Sequence, residues 1–274
     1  MPPSARALTP PSPLSEELLS VAVAAATRAA RLIEEAKGRP REHISTKSSP
    51  TDLVTEVDRA AERCVVSELS ERRPDDAILA EEGTSREGTT GVRWVIDPLD
   101  GTTNYLFGVP AYSVSVAAEV DGQAEVGVVV DPSRNEIWRA ARGRGAWRND
   151  QPLQLVPADV PPLDRALVAT GFSYLPERRA YQAKVVSHVL PRVRDIRRFG
   201  SAALDASWVA AGRVTAYYEL GLQPWDLAAG VLIAEEAGAE VAVLDDGTTV
   251  VAPPAVMAPL RGLLVEGAPG STAR

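Results

Sequence analysis

Apolar and polar positions change rhythm several times along the chain, and each rhythm predicts an element. Residues 18–26 are apolar, and helical character continues through Arg28, Arg31, Leu32, Ile33, Glu34 and Glu35 to a stop at Gly38. The apolar stretch and its Ala-Val-Ala triplet imitate a signal peptide. Only Arg6 flanks it, however, and the pattern runs on past it, so an amphipathic helix is expected instead. Thr55 is placed to cap a second helix over about 56–69, with Glu56 and Asp58 near its positive end. Residues 77–80 read as a short buried strand ending in Glu81-Glu82-Gly83, and 94–96 as another. Between Ser113 and Val130 the β-branched positions surround Asp121-Gly122, a hairpin turn. Further strands fit 137–140 and 146–147. After a Pro-rich stretch at 156–163, a strand fits near 166–169 and helices near 179–190, 202–211 and 226–237. Strands at 241–244 and 250–251 close the pattern. Strands and helices mix without strict alternation, which favours a layered α/β sandwich over a Rossmann sheet. Residues 1–14 read as a disordered tail, 15–155 as an N-terminal α+β lobe, 156–266 as a C-terminal α/β lobe and 267–274 as a flexible tail.

Composition narrows the chemistry. At 274 residues, 45% hydrophobic and 24% charged, the chain can bury a sizeable core, and no apolar run is long enough to span a membrane. A net charge of -8 argues against a nucleic-acid partner held by its phosphates. The same charge means that a site for an anionic substrate needs bound cations to reverse the local field. The single cysteine, Cys64, excludes an intramolecular disulfide and fits a reducing, cytoplasmic compartment. With only His43 and His188 beside it, a three-His or Cys-rich zinc site is excluded too. Carboxylates, hydroxyls and backbone must carry the work, which points to Mg²⁺ or Mn²⁺.

The run from Trp94 to Asn104, Trp-Val-Ile-Asp-Pro-Leu-Asp-Gly-Thr-Thr-Asn, concentrates that chemistry. An apolar strand stops at two carboxylates, Asp97 and Asp100, beside a Gly-Thr turn whose backbone can approach a ligand. This suits a divalent cation and a phosphate bound together. As turn formers these acids would be redundant, because Pro98 and Gly101 already meet the turn's needs. Glu81 and Asp226 also stand at element boundaries. Glu81-Glu82 is either a ligand pair or a solvated loop; Asp226 is either a ligand or an ordinary helix cap, and Thr102 reads locally as a cap too. Two carboxylates ~4 Å apart repel by about 4 kcal/mol at an effective dielectric near 20, so four in one cleft would require cations or large pKa rises. Arg142-Gly143-Arg144-Gly145 reads as a turn, Cys64 as core, and Trp94, Trp138, Trp147 and Trp208 as core fillers.

The three blocks together resemble the inositol monophosphatase family. The 94–104 run resembles its first signature and Pro224-Trp225-Asp226-Leu227-Ala228-Ala229-Gly230 its second. Asp52-Leu53-Val54-Thr55-Glu56-Val57-Asp58, preceded by Lys47-Ser48-Ser49-Pro50, resembles an earlier block, and the likeness covers about residues 16–265. The resemblance implies an αβαβα five-layer sandwich, a homodimer and a lithium-sensitive, Mg²⁺-dependent phosphatase using two to three ions. It implies that Glu81, Asp97 and the Leu99 carbonyl hold one ion, and Asp97, Asp100 and Asp226 a second. Glu81 and Asp58 would place a third through waters near the Lys47 loop. Thr102 and Glu81 would orient and deprotonate the attacking water. Gly200, Ser201 and Ala202 would contact the substrate at a helix start, with Asp100, Gly101 and Asp226 also in the binding wall. Glu219, seven residues before Asp226, would accept hydrogen bonds from substrate hydroxyls. Arg197 and Arg198 either touch an anionic substrate or are solvated. Inositol 1-phosphate is the implied substrate; histidinol phosphate, fructose 1,6-bisphosphate and 3′-phosphoadenosine 5′-phosphate are the alternatives. A haloacid-dehalogenase-type mechanism would need Asp-x-Asp where this chain has Asp-x-x-Asp. A non-catalytic regulatory role would be expected to lose a ligand or Thr102, and none is lost.

Overall fold

A computed structural model describes residues 12–37, 45–46 and 53–269. Helix α1 (Pro13–Ala36) starts at Ser12, whose hydroxyl accepts from the Ser15 N–H at 3.0 Å. Pro13 and Leu14, read as tail from sequence, are therefore helical, because proline suits a first-turn position and Ser12 supplies the cap. Leu18, Val21, Ala22, Ala25, Ala29 and Ile33 line the buried stripe. A two-stranded ribbon, β1 (Ser45–Thr46) with β2 (Leu53–Val54), leads into α2 (Glu56–Arg72). Thr55 caps α2 in a reciprocal box with Asp58.

Eight strands form the first sheet: β3 (Ala77–Ala80), β4 (Ser85–Arg86), β5 (Val92–Asp100), β6 (Ser113–Val120), β7 (Gln123–Asp131), β8 (Glu136–Ala141), β9 (Gly145–Arg148) and β10 (Gln151–Leu153). Their order is β10-β9-β8-β7-β6-β5-β3-β4, antiparallel except for β3 with β5. Helix α3 (Thr102–Phe107) follows β5 at once. The second, five-stranded sheet comprises β11 (Leu167–Thr170), β12 (Asp195–Arg197), β13 (Ala216–Leu220), β14 (Glu240–Val243) and β15 (Thr248–Ala252), ordered β12-β11-β13-β15-β14. Parallel and antiparallel pairs mix in it. Helices α4 (Pro176–Val189), α5 (Ala202–Ala210), α6 (Pro224–Glu236) and α7 (Pro254–Gly267) complete the chain.

Three apolar clusters make five layers of this set. Residues of α1 and α2 pack on one face of the first sheet. Helices α5 and α6 fill the space between the sheets, and α4 and α7 cover the far face of the second. The layered sandwich expected from sequence is the fold observed. Burial of both faces explains the continuous apolar runs: Trp94 and Ile96 of β5 point into the first cluster and Val95 into the second. At Gly127 of β7 an added Cβ would lie 2.8 Å from the Ala229 Cα, so the glycine lets α6 press onto the sheet. The Asp121-Gly122 hairpin forms, with both residues at positive φ (51° and 79°). Trp147, expected in the core, is only half-buried, because β9 lies near the sheet's edge.

Candidate active site

The two acids of the opening motif lie within β5 rather than beyond it. The strand runs on through Pro98, and its pairing with β6 shifts register between Asp97 and Asp100. This irregularity turns both carboxylates toward one end of the sheet. Gly101 then adopts φ 94° and caps α3, a role sequence alone offered to Thr102. A side chain there would strike the Ala111 carbonyl (2.9 Å) and approach that of Gly200 (3.2 Å), so the glycine lets the start of α3 meet the loop before α5.

An open cleft of about 470 Å³ lies at this meeting point. Glu81, Asp97, Leu99, Asp100, Gly101 and Thr102 line it on the side of the first sheet, and Gly200, Ala202, Glu219 and Asp226 come from α5, β13, α6 and the loop before α5. Asp97 is buried, and its Oδ1 accepts the Leu99 N–H at 3.0 Å. Burial, then the neighbouring charges of Glu81, Asp100 and Asp226, hold its carboxyl well above the usual carboxylate range. Asp100 is pushed up to about 6 by burial, against hydrogen bonds from Ser201 and Ala203. Its Oδ2 accepts the Ser201 hydroxyl at 2.7 Å and the Ala203 N–H at 2.8 Å, which ties β5 to the start of α5. Asp226 is raised by burial and then by Asp100, and it occupies the third position of the α6 capping box, accepting the Gln223 N–H at 2.6 Å. It is thus a cap residue and a cleft residue at once.

Two predicted residues reach the cleft only through others. Ser201 is fully buried, and its hydroxyl is committed to Asp100 and Ser113, so in this structure it braces Asp100. Asp58 is buried as well. Its Oδ2 accepts the Thr55 N–H at 2.8 Å and the Thr55 hydroxyl, and its Oδ1 accepts the Thr102 hydroxyl at 2.7 Å. Its connection is therefore to Thr102, which also lies 3.1 Å from the Leu99 carbonyl. Lys47 lies outside the described residues.

Glu219 accepts the Tyr217 hydroxyl at 2.7 Å; burial raises its carboxyl to about 7, while Tyr217 and then Arg198 pull it down. Gly171 gives it room, since a Cβ there would collide with the carboxylate. Gly171, just beyond β11, carries no local sign of this role, because Glu219 lies on the neighbouring strand β13; Tyr217 stands two residues before Glu219 on β13 itself. Asn104 has no local signal of its role either: its amide donates to the carbonyls of Ala111 and Phe199, both at 2.6 Å, and so fixes the loop before α5. Arg198 and Arg178 both line the cleft.

The donor set is entirely oxygen. Asp97, Asp100 and Asp226 form no ion pair with a basic side chain among the described residues. Among those residues no group of three acidic, histidine or cysteine side chains encloses an ion position as it stands. The cleft therefore offers buried, uncompensated carboxylates whose repulsion a hard divalent cation would relieve.

A family model described as "Inositol monophosphatase family" matches residues 14–269. The chain is 48% identical over 205 residues to the inositol-1-monophosphatase SuhB of Mycobacterium tuberculosis, covering 72% of this chain and 71% of that protein. It is 41% identical over 232 residues to the Nus factor SuhB of Escherichia coli, covering 84% and 86%. Among solved structures, the extragenic suppressor protein suhB of Bartonella henselae superposes with a TM-score of 0.84 at 35% identity, over 89% of this chain and 97% of that one.

Proposed function

This chain belongs to the inositol monophosphatase family, and from that premise we propose that it is a Mg²⁺-dependent phosphomonoesterase converting inositol 1-phosphate to inositol and phosphate. The observation that carries the reading is the gathering of Glu81, Asp97, Asp100, Thr102, Glu219 and Asp226, from four separate segments, around one cleft.

Two to three Mg²⁺ ions fit the donor set, with Mn²⁺ as a substitute. Glu81, Asp97 and the Leu99 carbonyl would hold one, and Asp97, Asp100 and Asp226 another; Glu81 and Asp58 would serve a weaker third through waters. When bound, the metal supplies positive charge that cancels the repulsion among these acids and favours the phosphate in the cleft. The rest is done by the chain. With its hydrogen donated to Asp58, the Thr102 oxygen meets an incoming water as an acceptor. As that water attacks phosphorus in line, its proton passes to Thr102 and the proton of Thr102 passes to Asp58. Burial, opposed by bonds from Thr55 and Thr102, raises the Asp58 carboxyl and so makes it a better proton acceptor. Glu219 accepts hydrogen bonds from the polyol hydroxyls, and Gly200 and Ala202 shape the opposite wall. In this reading residues 15–155 carry the metal side and 156–266 the substrate side of a cytoplasmic, lithium-sensitive homodimer.

Phosphate release with Mg²⁺ across inositol 1-phosphate, histidinol phosphate, fructose 1,6-bisphosphate and 3′-phosphoadenosine 5′-phosphate tests the proposal. Inositol 1-phosphate should give the highest kcat/KM, and Asp97→Asn should nearly abolish release while circular dichroism stays unchanged. Full activity in that variant would refute the site; comparable kcat/KM on all four would refute the substrate. A second reading, a regulatory role beside or instead of turnover, is favoured by the relatives named Nus factor SuhB. A folded wild-type protein that releases phosphate from none of the four would support it.

A further inference from the structure

Helix α2 carries two buried acids on one face, Asp58 and Glu62, four residues apart. Asp58 reaches Thr102. Glu62 does not line the cleft, yet both of its oxygens are engaged. One accepts the Glu82 N–H at 2.7 Å; the other accepts the Thr84 N–H at 3.1 Å and the Thr84 hydroxyl at 2.6 Å. These donors are uncharged, so oriented N–H and O–H dipoles hold a negative charge inside the protein. Burying a carboxylate is costly, and an apolar side chain would fasten α2 to the sheet at less cost. Stability therefore does not account for an acid at this position.

What Glu62 grips is the loop that presents Glu81. Strand β3 ends at Ala80 and β4 begins at Ser85, and the Ala80 N–H donates to the Thr84 carbonyl at 2.9 Å to close the turn. The Glu81 N–H donates to the Ile96 carbonyl of β5 at 3.1 Å, which sets Glu81 beside Asp97, the next residue of that strand. The peptide joining Glu81 to Glu82 then presents its own N–H to Glu62. The backbone of Glu81 is thus fixed on both sides, by β5 before it and by α2 after it. Glu82 and Thr84 flank Gly83, whose φ of 114° and missing side chain leave the turn permissive. Two N–H bonds to one carboxylate remove that freedom. Only an acceptor-only group can take all three bonds, because an amide would set a donor against a donor.

We propose that Glu62 is a positioning residue for the metal site, holding the Glu81 carboxylate beside Asp97 so that one divalent cation can be bound by both. The inference rests on the metal assignment made in the phosphatase reading. A residue that orients a metal ligand in this way commonly governs metal affinity by about 10- to 100-fold.

Mn²⁺ binding to the full chain without substrate, followed by electron paramagnetic resonance, tests this independently of turnover. Glu62→Gln should raise the Mn²⁺ dissociation constant at least about tenfold, and the Mg²⁺ concentration for half-maximal phosphate release should rise with it. Because the effect passes through Glu81, Glu62→Gln should weaken binding far less in a Glu81→Gln background; an equal loss there would overturn the proposal. Thr84→Val, which removes one of the three bonds, should shift the constant the same way by less, and Thr84→Ser should keep the wild-type value. A constant unchanged by Glu62→Gln, or by Thr84→Val if Glu62→Gln does not fold, would overturn the role of Glu62. Loss of Mn²⁺ binding in Asp97→Asn would then leave the metal assignment standing. A lower urea midpoint at an unchanged constant would mark Glu62 as a structural brace and overturn the proposal equally. Wild-type protein that binds no Mn²⁺ would overturn the proposal and the metal assignment together. Weakened Mn²⁺ binding in the variants, with no phosphate released by the wild type, would support the positioning role while the phosphatase reading alone fails.

Discussion

Thr102 shows how much one hydroxyl can depend on distant residues. Its single hydrogen is shared between Asp58 at 2.7 Å and the Leu99 carbonyl at 3.1 Å, and its oxygen is left to face the cleft. Thr102→Ala should lower kcat by about 10²- to 10⁴-fold with little change in KM, and Thr102→Ser should restore most of it. Steady-state kinetics on inositol 1-phosphate would check this, and a change confined to KM would contradict it. The acids of this site differed in how readable they were. Asp97 and Asp100 stood out because a strand that stops at two carboxylates, beside a proline and glycine that already make the turn, has no local need of them. Glu81 and Asp226 kept two readings, because a loop pair and a helix cap explain them equally well from local chemistry. The bond between Asp58 and Thr102 joins residues 44 apart, and no spacing rule announces it.

Elements were legible where their period was clean. The β-branched hairpin, the capped α2 and the amphipathic α1 follow from alternation, capping and helical spacing. The short edge strands β4, β10 and β12 were not predicted, since two or three residues carry no period. Helix α7 has no clean signal either: it opens at Pro253-Pro254, where a first-turn proline is tolerated, but Pro259 lies in its interior, where proline forgoes a backbone hydrogen bond and reads as a breaker. Glycines inside regular elements carried a message that only contact could decode. Gly230 in α6 faces α5, and an added Cβ would lie 2.8 Å from the Ala203 carbonyl oxygen. Alanine normally improves a helix interior by about 1 kcal/mol. Here the clash is with backbone, which cannot swing aside, so Gly230→Ala should instead destabilise by about 1–3 kcal/mol. Urea unfolding would register this as a lower midpoint at unchanged slope; an unchanged or higher midpoint would show that the two helices have slack.

At the scale of the whole molecule, Asp76 links the end of α2 to the first sheet and makes stability depend on pH. Its carboxylate accepts the Arg73 Nε at 2.8 Å, the Thr90 hydroxyl at 2.6 Å and the Trp94 indole N–H at 2.9 Å. Burial alone would raise this carboxyl, but those bonds outweigh it and hold it below its ordinary value. A depressed folded-state pKa contributes stability that is fully present above the unfolded value, near about 4, and is lost as pH falls through the folded one. Asp76→Ala should cost about 3 kcal/mol at neutral pH and flatten the acid limb of the stability curve. Denaturant titrations between neutral and strongly acid pH would check this, and an acid limb as steep as that of the wild type would place the effect elsewhere. By itself the sequence determined the class of chemistry, since two histidines and one cysteine among clustered acids leave oxygen donors and hard cations. It also determined the layered fold, through its rhythm of apolar positions and its family resemblance. Only the tertiary structure decided which acids face the cleft and that the Ser201 hydroxyl supports Asp100. The physical reason is that period and capping are local properties of a chain. Burial, charge compensation and hydrogen-bond partnership are set between segments that can be more than a hundred residues apart, as Asp100 and Ser201 are at 101.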